Sequence, residues 1–207
     1  MKRYLIVALA IFIYSTAFAQ TAQDYFNSGN EYFKKGDYDR AIADYTASLR
    51  IKPDYAEALS NRGDAYFRMG DLDRAIADYT AYLRFNPDYA DALNRRGGTS
   101  YQLGRYDGAI ADYDRAIHLN PNDAGAYYNR GNAYAKKGDF DRAIADYTTS
   151  LRIRPDYAEA LSNRGTAYSN KGDYDRAITD WEVLLRINPN YPNARQFIEA
   201  ARQQRGR

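Results

Sequence analysis

Apolar and polar positions along this chain alternate with a helical period, not a strand period. Leu59, Gly63 and Tyr66 fall on one helical stripe, and after a break at Gly70 so do Leu72, Ala75, Ile76, Tyr79 and Leu83. Pro87 closes the second run, so the pattern predicts two helices, over 55–68 and 72–85. The whole pattern then recurs. GDYDRAIADYT at 36–46 returns as GDLDRAIADYT at 70–80, GRYDGAIADYD at 104–114, GDFDRAIADYT at 138–148 and GDYDRAITDWE at 172–182. Gly36, Gly70, Gly104, Gly138 and Gly172 stand 34 residues apart, and so do Pro53, Pro87, Pro121, Pro155 and Pro189. A fixed period decides the fold class before any other argument. The expectation is an all-α array of five helix pairs, 22–55, 56–89, 90–123, 124–157 and 158–191.

The stops between helices have local causes. Gly70 suits the left-handed conformation that ends a helix. Asp71 is placed to cap the next helix, and Asp73 suits its positive end. Asp54 with Glu57, Asp156 with Glu159 and, less well, Asp88 with Asp91 read as capping boxes for the first helices. Small residues recur where helices must approach. Gly29, Gly63, Gly97, Gly131 and Gly165 hold the eighth position of each repeat, and Ala41, Ala75, Ala109, Ala143 and Ala177 the twentieth. Glycine within a helix costs about 0.5–1 kcal/mol against alanine, so its recurrence implies a packing reason. The large residue expected to face it is Tyr45, Tyr79, Tyr113, Tyr147 or Trp181.

With this period and this Gly, Tyr, Ala, aromatic and Pro signature, the chain resembles the tetratricopeptide repeat family over 22–191. The resemblance implies a right-handed α-solenoid whose first helices line a concave groove, and whose exposed end is closed by a capping helix, here 192–207 with the basic tail Arg202, Arg205 and Arg207. The third repeat departs from the pattern: Ser100 replaces the usual tyrosine and Tyr101 follows one place late. Either the groove gains an aromatic there or the helix packs differently. The family often has an apolar pair where this chain has Arg62, Arg96, Arg130 and Arg164 facing Asp78, Asp112, Asp146 and Asp180. The expectation is an ion pair between the two helices of each repeat, missing from the first, where Ser28 stands opposite Asp44; separate solvated charges are the alternative.

Positions that vary between otherwise identical repeats are candidates for function. The second, fifth and twelfth positions vary most, and the fifth and twelfth include Phe26, Tyr128, Phe33, Phe67 and Tyr101. The sixth stays polar, as Asn27, Asn61, Arg95, Asn129 and Asn163. A carboxamide both donates and accepts, so such a row suits an extended peptide backbone; bonding between neighbouring helices is the plainer use. The family's two-carboxylate clamp for the tails of heat-shock chaperones is matched at Asn30, Asn61 and Arg95, but Phe26 and Asp91 replace its lysines, and Asp91 would repel a carboxylate. The candidate groove residues are therefore Asn27, Asn30, Phe33, Asn61, Phe67, Arg95, Tyr101, Tyr128, Asn129 and Asn163.

Charge and composition narrow the class. The formal charge is +2, and Lys2 and Arg3 lie in an acid-free first stretch, 1–19, so the remainder is neutral and broad attraction to nucleic acid or anionic lipid is not expected. Lys2 and Arg3 precede an apolar run from Tyr4 to Tyr14, and Ala17-Phe18-Ala19 then offers small residues before Gln20. This is the pattern of a secretory signal peptide cut after Ala19; the rival is a retained anchor, although the apolar stretch is shorter than the roughly 20 residues a spanning helix needs. There is no cysteine, and the one histidine, His118, stands where other repeats carry arginine at a helix end. No phosphate-binding glycine loop or metal-ligand spacing is present, so no enzyme activity, cofactor or metal is expected. The sequence thus reads as an exported, non-catalytic scaffold or adaptor that binds a partner protein, as an extended peptide segment, through its groove. A membrane-tethered or self-associating assembly factor is the alternative.

Overall fold

The computed structural model describes residues 20–206, and the leader expected over 1–19 lies outside them. Among the described residues there are eleven α-helices and no strand: α1 Ala22–Lys34, α2 Tyr38–Ile51, α3 Ala56–Met69, α4 Leu72–Phe85, α5 Ala90–Gln102, α6 Tyr106–Leu119, α7 Ala124–Lys136, α8 Phe140–Ile153, α9 Ala158–Asn170, α10 Tyr174–Ile187 and α11 Ala194–Arg205. The chain divides into two compact units between Phe85 and Asn86. In the first, α1 packs on α2, α2 on α3 and α3 on α4. In the second, consecutive helices from α5 to α11 pack in the same way, and α7 also touches both α5 and α9.

Each helix pair closes on one contact. An ideal Cβ on Gly63 would lie 2.9 Å from Tyr79 Cε1, and one on Gly29 would lie 2.7 Å from Tyr45 Cε1. In the fifth pair Trp181 Nε1 would be 2.6 Å from a Cβ on Gly165. The rings are almost wholly buried, and Ala41, Ala75, Ala109, Ala143 and Ala177 are fully buried beside them. The expected glycine–aromatic partnership is the core of each pair. At Gly36, Gly70, Gly104, Gly138 and Gly172 the backbone is left-handed, with φ between 73 and 80°, which sets the turn within each pair.

The expected ion pairs form as well. Arg62 donates through Nε and Nη2 to both carboxylate oxygens of Asp78, each at 2.7 Å. Arg96 meets Asp112 at 2.9 and 2.6 Å, Arg130 meets Asp146 at 2.8 and 2.7 Å, and Arg164 meets Asp180 at 2.8 and 2.7 Å. All four aspartates are buried. The remaining guanidinium nitrogen reaches the second helix of the preceding repeat, at Thr46 for Arg62, Asp114 for Arg130 and Thr148 for Arg164. One arginine thus ties three helices.

The capping expectation is corrected for the first helices. Tyr55 and Tyr157 are the N-caps of α3 and α9, and Tyr89 that of α5, and none makes a side-chain cap hydrogen bond. The cause is the preceding turn. Tyr55 N donates to Lys52 O at 3.2 Å and Tyr157 N to Arg154 O at 3.2 Å, which places Asp54 and Asp156 inside the turn, one residue before the cap. Where that cap position is Asp123, the side chain does cap, accepting from Gly125 N and Ala126 N. A complete capping box forms at Thr21 and Asp24 on α1. Four of the second helices follow expectation: Asp37, Asp71, Asp139 and Asp173 accept from Arg40, Arg74, Arg142 and Arg176 main-chain nitrogens, whereas α6 has Arg105 at its N-cap and no side-chain cap.

The helix expected near the C-terminus is α11. Ile198 and Ala201 are buried, Phe197 meets Trp181 at 5.4 Å, and Arg202 and Arg205 pair with Glu182 and Asp175. Two of the tail's arginines are therefore tied down onto α10.

Two substitutions test this account. Gly63→Leu overpacks the Tyr79 contact and is expected to cost about 1–3 kcal/mol or more; an unchanged thermal midpoint would refute the contact. Arg62→Leu leaves Asp78 buried without its partner and is expected to cost about 3–5 kcal/mol, most of which returns in the Arg62→Leu, Asp78→Leu double variant. Denaturant unfolding of both variants measures the difference.

Candidate functional site

The core contact also decides what the first helices present. Each buried tyrosine crosses over a glycine, and its hydroxyl emerges beside the first helix. In the first unit the Tyr45 hydroxyl donates to Asn30 Oδ1 at 2.8 Å, and Asn61 Nδ2 donates to the same oxygen at 2.8 Å. In the second unit the Tyr147 hydroxyl donates to Asn132 Oδ1 at 2.7 Å, and Asn163 Nδ2 joins it at 2.9 Å while also meeting the Tyr128 hydroxyl at 3.2 Å. One face of each asparagine is spent between helices, and the other makes no hydrogen bond among the described residues. Asn132 retains its two N–H donors and Asn163 its carbonyl oxygen.

The candidate residues separate by environment. In the first unit, Asn27 is exposed and accepts from Gln23 Nε2 at 2.9 Å on its own helix. Phe33 meets Tyr38 edge-on at 5.4 Å, and Phe67 is half-buried. Phe26, considered as an anchor for a ligand, is packed instead between Tyr45 and Tyr55, at 6.0 and 4.8 Å, because the fifth position points into the seam between repeats. In the second unit, Arg95 is exposed and Asn129 half-buried.

Tyr101, Tyr128 and Asn163 come together in a cleft of about 400 Å³. Residues that sequence reasoning missed complete it: Asn132, Lys136, Phe140 and Asn170. A signal was present for three of them: the ninth position, which holds Asn132, reads Asn30, Asp64, Gly98, Asn132 and Thr166, and the thirteenth, which holds Lys136 and Asn170, reads Lys34, Arg68, Gln102, Lys136 and Asn170. The third repeat's displaced tyrosine is explained here: Ser100 is buried, and Tyr101 turns to the cleft against Tyr106 at 5.5 Å. The cleft has aromatic walls, carboxamides, one exposed cation at Lys136 and no carboxylate. Burial pushes the hydroxyls of Tyr128 and Tyr147 above their ordinary value, so both remain neutral donors through the physiological range. Among the described residues no group of His, Asp and Glu is arranged to hold a metal, and His118 is exposed.

This is the architecture of a helical-repeat scaffold for protein interaction: a repeated frame that carries a variable, polar and aromatic face. Profiles described as TPR repeat match residues 29–70, 97–138 and 131–172, and profiles described as tetratricopeptide repeat match 56–89 and 158–191. The chain belongs to the tetratricopeptide repeat family. Two crystal structures of MamA are similar to it, one at 29% identity over 84% of this chain and 94% of that one with a TM-score of 0.78, the other at 30% identity over 78% and 94% with a TM-score of 0.76. The structure of YrrB, described as a TPR protein with an unusual peptide-binding site, shares the fold at 24% identity over 88% of this chain and 92% of that one, with a TM-score of 0.75. No curated protein matches the sequence.

The buried tyrosines also set the alkaline limit of the fold. Burial pushes the Tyr45 hydroxyl from 10.0 up to about 12. The folded protein holds the neutral phenol, so this contribution is complete below pH 10 and is lost as pH rises towards about 12. Unfolding followed by circular dichroism against pH is expected to coincide with the final step in phenolate absorbance, that of the buried rings; a phenolate titration already complete near pH 10 in a still-folded protein would refute it.

Proposed function

We propose that this scaffold holds an extended segment of a partner protein against its first helices, with the Tyr101–Asn170 cleft as the main contact, and that it does so without catalysis. The observation that carries this reading is the composition of the cleft. Its aromatic walls offer apolar contact, and the spare faces of Asn132 and Asn163 can donate to and accept from a peptide backbone. Lys136, with no carboxylate in the cleft, favours a segment that is neutral or acidic. In the first unit, Asn30, Asn61, Phe33 and Phe67 would offer a second segment the same kind of contact.

The pattern of Lys2, Arg3, the apolar run and Ala17-Phe18-Ala19 supports export of this scaffold, with the leader removed after Ala19. The partner then belongs to an exported compartment. An intact mass that retains residues 1–19 would overturn removal of the leader.

The test of the groove is capture from the native exported fraction with wild-type protein and with Tyr101→Ala, Lys136→Ala, followed by mass-spectrometric identification. Both side chains line the cleft and neither is in the buried core, so the variant is expected to fold. A partner bound by the wild type and lost or weakened about tenfold or more in the variant is the expected result. An identical captured set would place the interaction elsewhere.

A further inference from the structure

The oxygen shared by Tyr45 and Asn61 belongs to Asn30, and that shared by Tyr147 and Asn163 belongs to Asn132. Asp64 accepts likewise from the Tyr79 hydroxyl at 2.6 Å. In the first and fourth repeats the ninth residue accepts from the tyrosine of the same repeat's second helix and from the asparagine at the sixth position of the next repeat, and in the second repeat it accepts from the tyrosine.

The third repeat keeps the donors and loses the acceptor. Tyr113 is the tyrosine, Asn129 the asparagine, and the ninth residue is Gly98. An ideal Cβ on Gly98 would stand 3.7 Å from the Tyr113 hydroxyl oxygen, an ordinary contact, so there is room for a side chain that the protein does not supply. Tyr113 is 2% exposed, and neither its hydroxyl nor the Asn129 amide has a hydrogen-bond partner among the described residues. Asn94 Oδ1 is the sealed, unpartnered side-chain atom among those residues, so the Tyr113 hydroxyl is not closed off from the groove. The Tyr113 hydroxyl thus stands at the Gly98 gap, and Asn129 holds the repeat position from which Asn61 and Asn163 reach the corresponding acceptor.

The charges decide between a carboxamide and a carboxylate acceptor. Both donors are neutral. The nearby carboxylate of Asp112 acts on the Tyr113 hydroxyl, and the cation beside it, Arg96, is committed to Asp112 through two hydrogen bonds. A buried carboxylate would gain no free cation from this pair, whereas a neutral carbonyl needs only the two hydrogen bonds.

We infer that Tyr113 and Asn129 form a subsite for the side-chain carboxamide of an asparagine on the bound partner segment, inserted where Gly98 leaves out the acceptor that Asn30 and Asn132 provide in their own repeats. The inference rests on the groove reading above and adds a sequence preference to it. The protein completes its own hydrogen-bond motif with a residue from its partner.

The test uses purified protein titrated with three blocked peptides, Ala-Ala-Asn-Ala-Ala and its Asp and Leu counterparts, followed by NMR of the asparagine side-chain amides. The Asn peptide is expected to shift the Asn129 amide resonances, with the Asp and Leu peptides weaker by about tenfold. Tyr113→Phe removes a hydroxyl that has no partner in the protein, so its melting temperature should match wild type while binding of the Asn peptide falls by about tenfold. Gly98→Asn supplies the acceptor internally; it should melt no lower than wild type and abolish the Asn129 shift. Equal binding of the three peptides, no Asn129 shift with the Asn peptide, or binding unaffected by both variants overturns the inference. If the captured partner survives Tyr113→Phe and Gly98→Asn but not Tyr101→Ala, Lys136→Ala, this subsite fails while the groove stands; if it survives all of them, the groove reading fails.

Discussion

The structure depends on the closeness of an aromatic ring to a glycine. With less than 3.0 Å between Tyr79 and the place a Gly63 Cβ would take, the two helices of a pair approach as near as backbone allows. That approach buries the ring and the alanine next to it, and it fixes where the ring must end. The Tyr45 and Tyr147 hydroxyls come out beside the ninth residue of the first helix, at Asn30 and Asn132. Core packing and the chemistry of the binding face are therefore one arrangement: the residue that fills the core also supplies a donor to the surface where a partner would lie.

The buried arginine–aspartate pairs act on a different level. A buried ion pair is weak evidence for stability, because desolvation offsets much of its attraction. Its value here is geometric. Arg62, Arg130 and Arg164 each hold their own repeat's second helix through a bidentate contact and the preceding repeat's second helix through a third hydrogen bond. A shift of one helix by a turn would strand a buried aspartate. The pairs thus penalise wrong registers in a chain whose repeats are similar enough to be confused with one another.

Within so regular a frame, function has to come from departures. Tyr101 displaced into the cleft and Gly98 in place of an acceptor are both differences from sister repeats. Both lie on α5, and neither disturbs the core contact of its pair. A repeat scaffold can vary its first-helix face in this way because the ring, the glycine and the ion pair carry the fold independently.

The sequence by itself determined the period, the helix pairs, the glycine–ring partnership and the ion pairs, since each is written in residues that recur at 34-residue spacing or within one repeat. It also offered Tyr101, Tyr128 and Asn163 among its groove candidates by comparing sister repeats, and the three line one cleft. Two things only the tertiary structure decided. Asp54 and Asp156 look like caps in a linear reading, but the turn before each helix moves the cap to a tyrosine. The asparagines look like one uniform row, but Asn27 bonds along its own helix, Asn61 and Asn163 bond across to residues 31 positions away, and Asn129 makes no side-chain hydrogen bond among the described residues. Hydrogen bonds of side chains depend on which repeat's face lies opposite, and that is settled by packing between helices, not by the period along the chain.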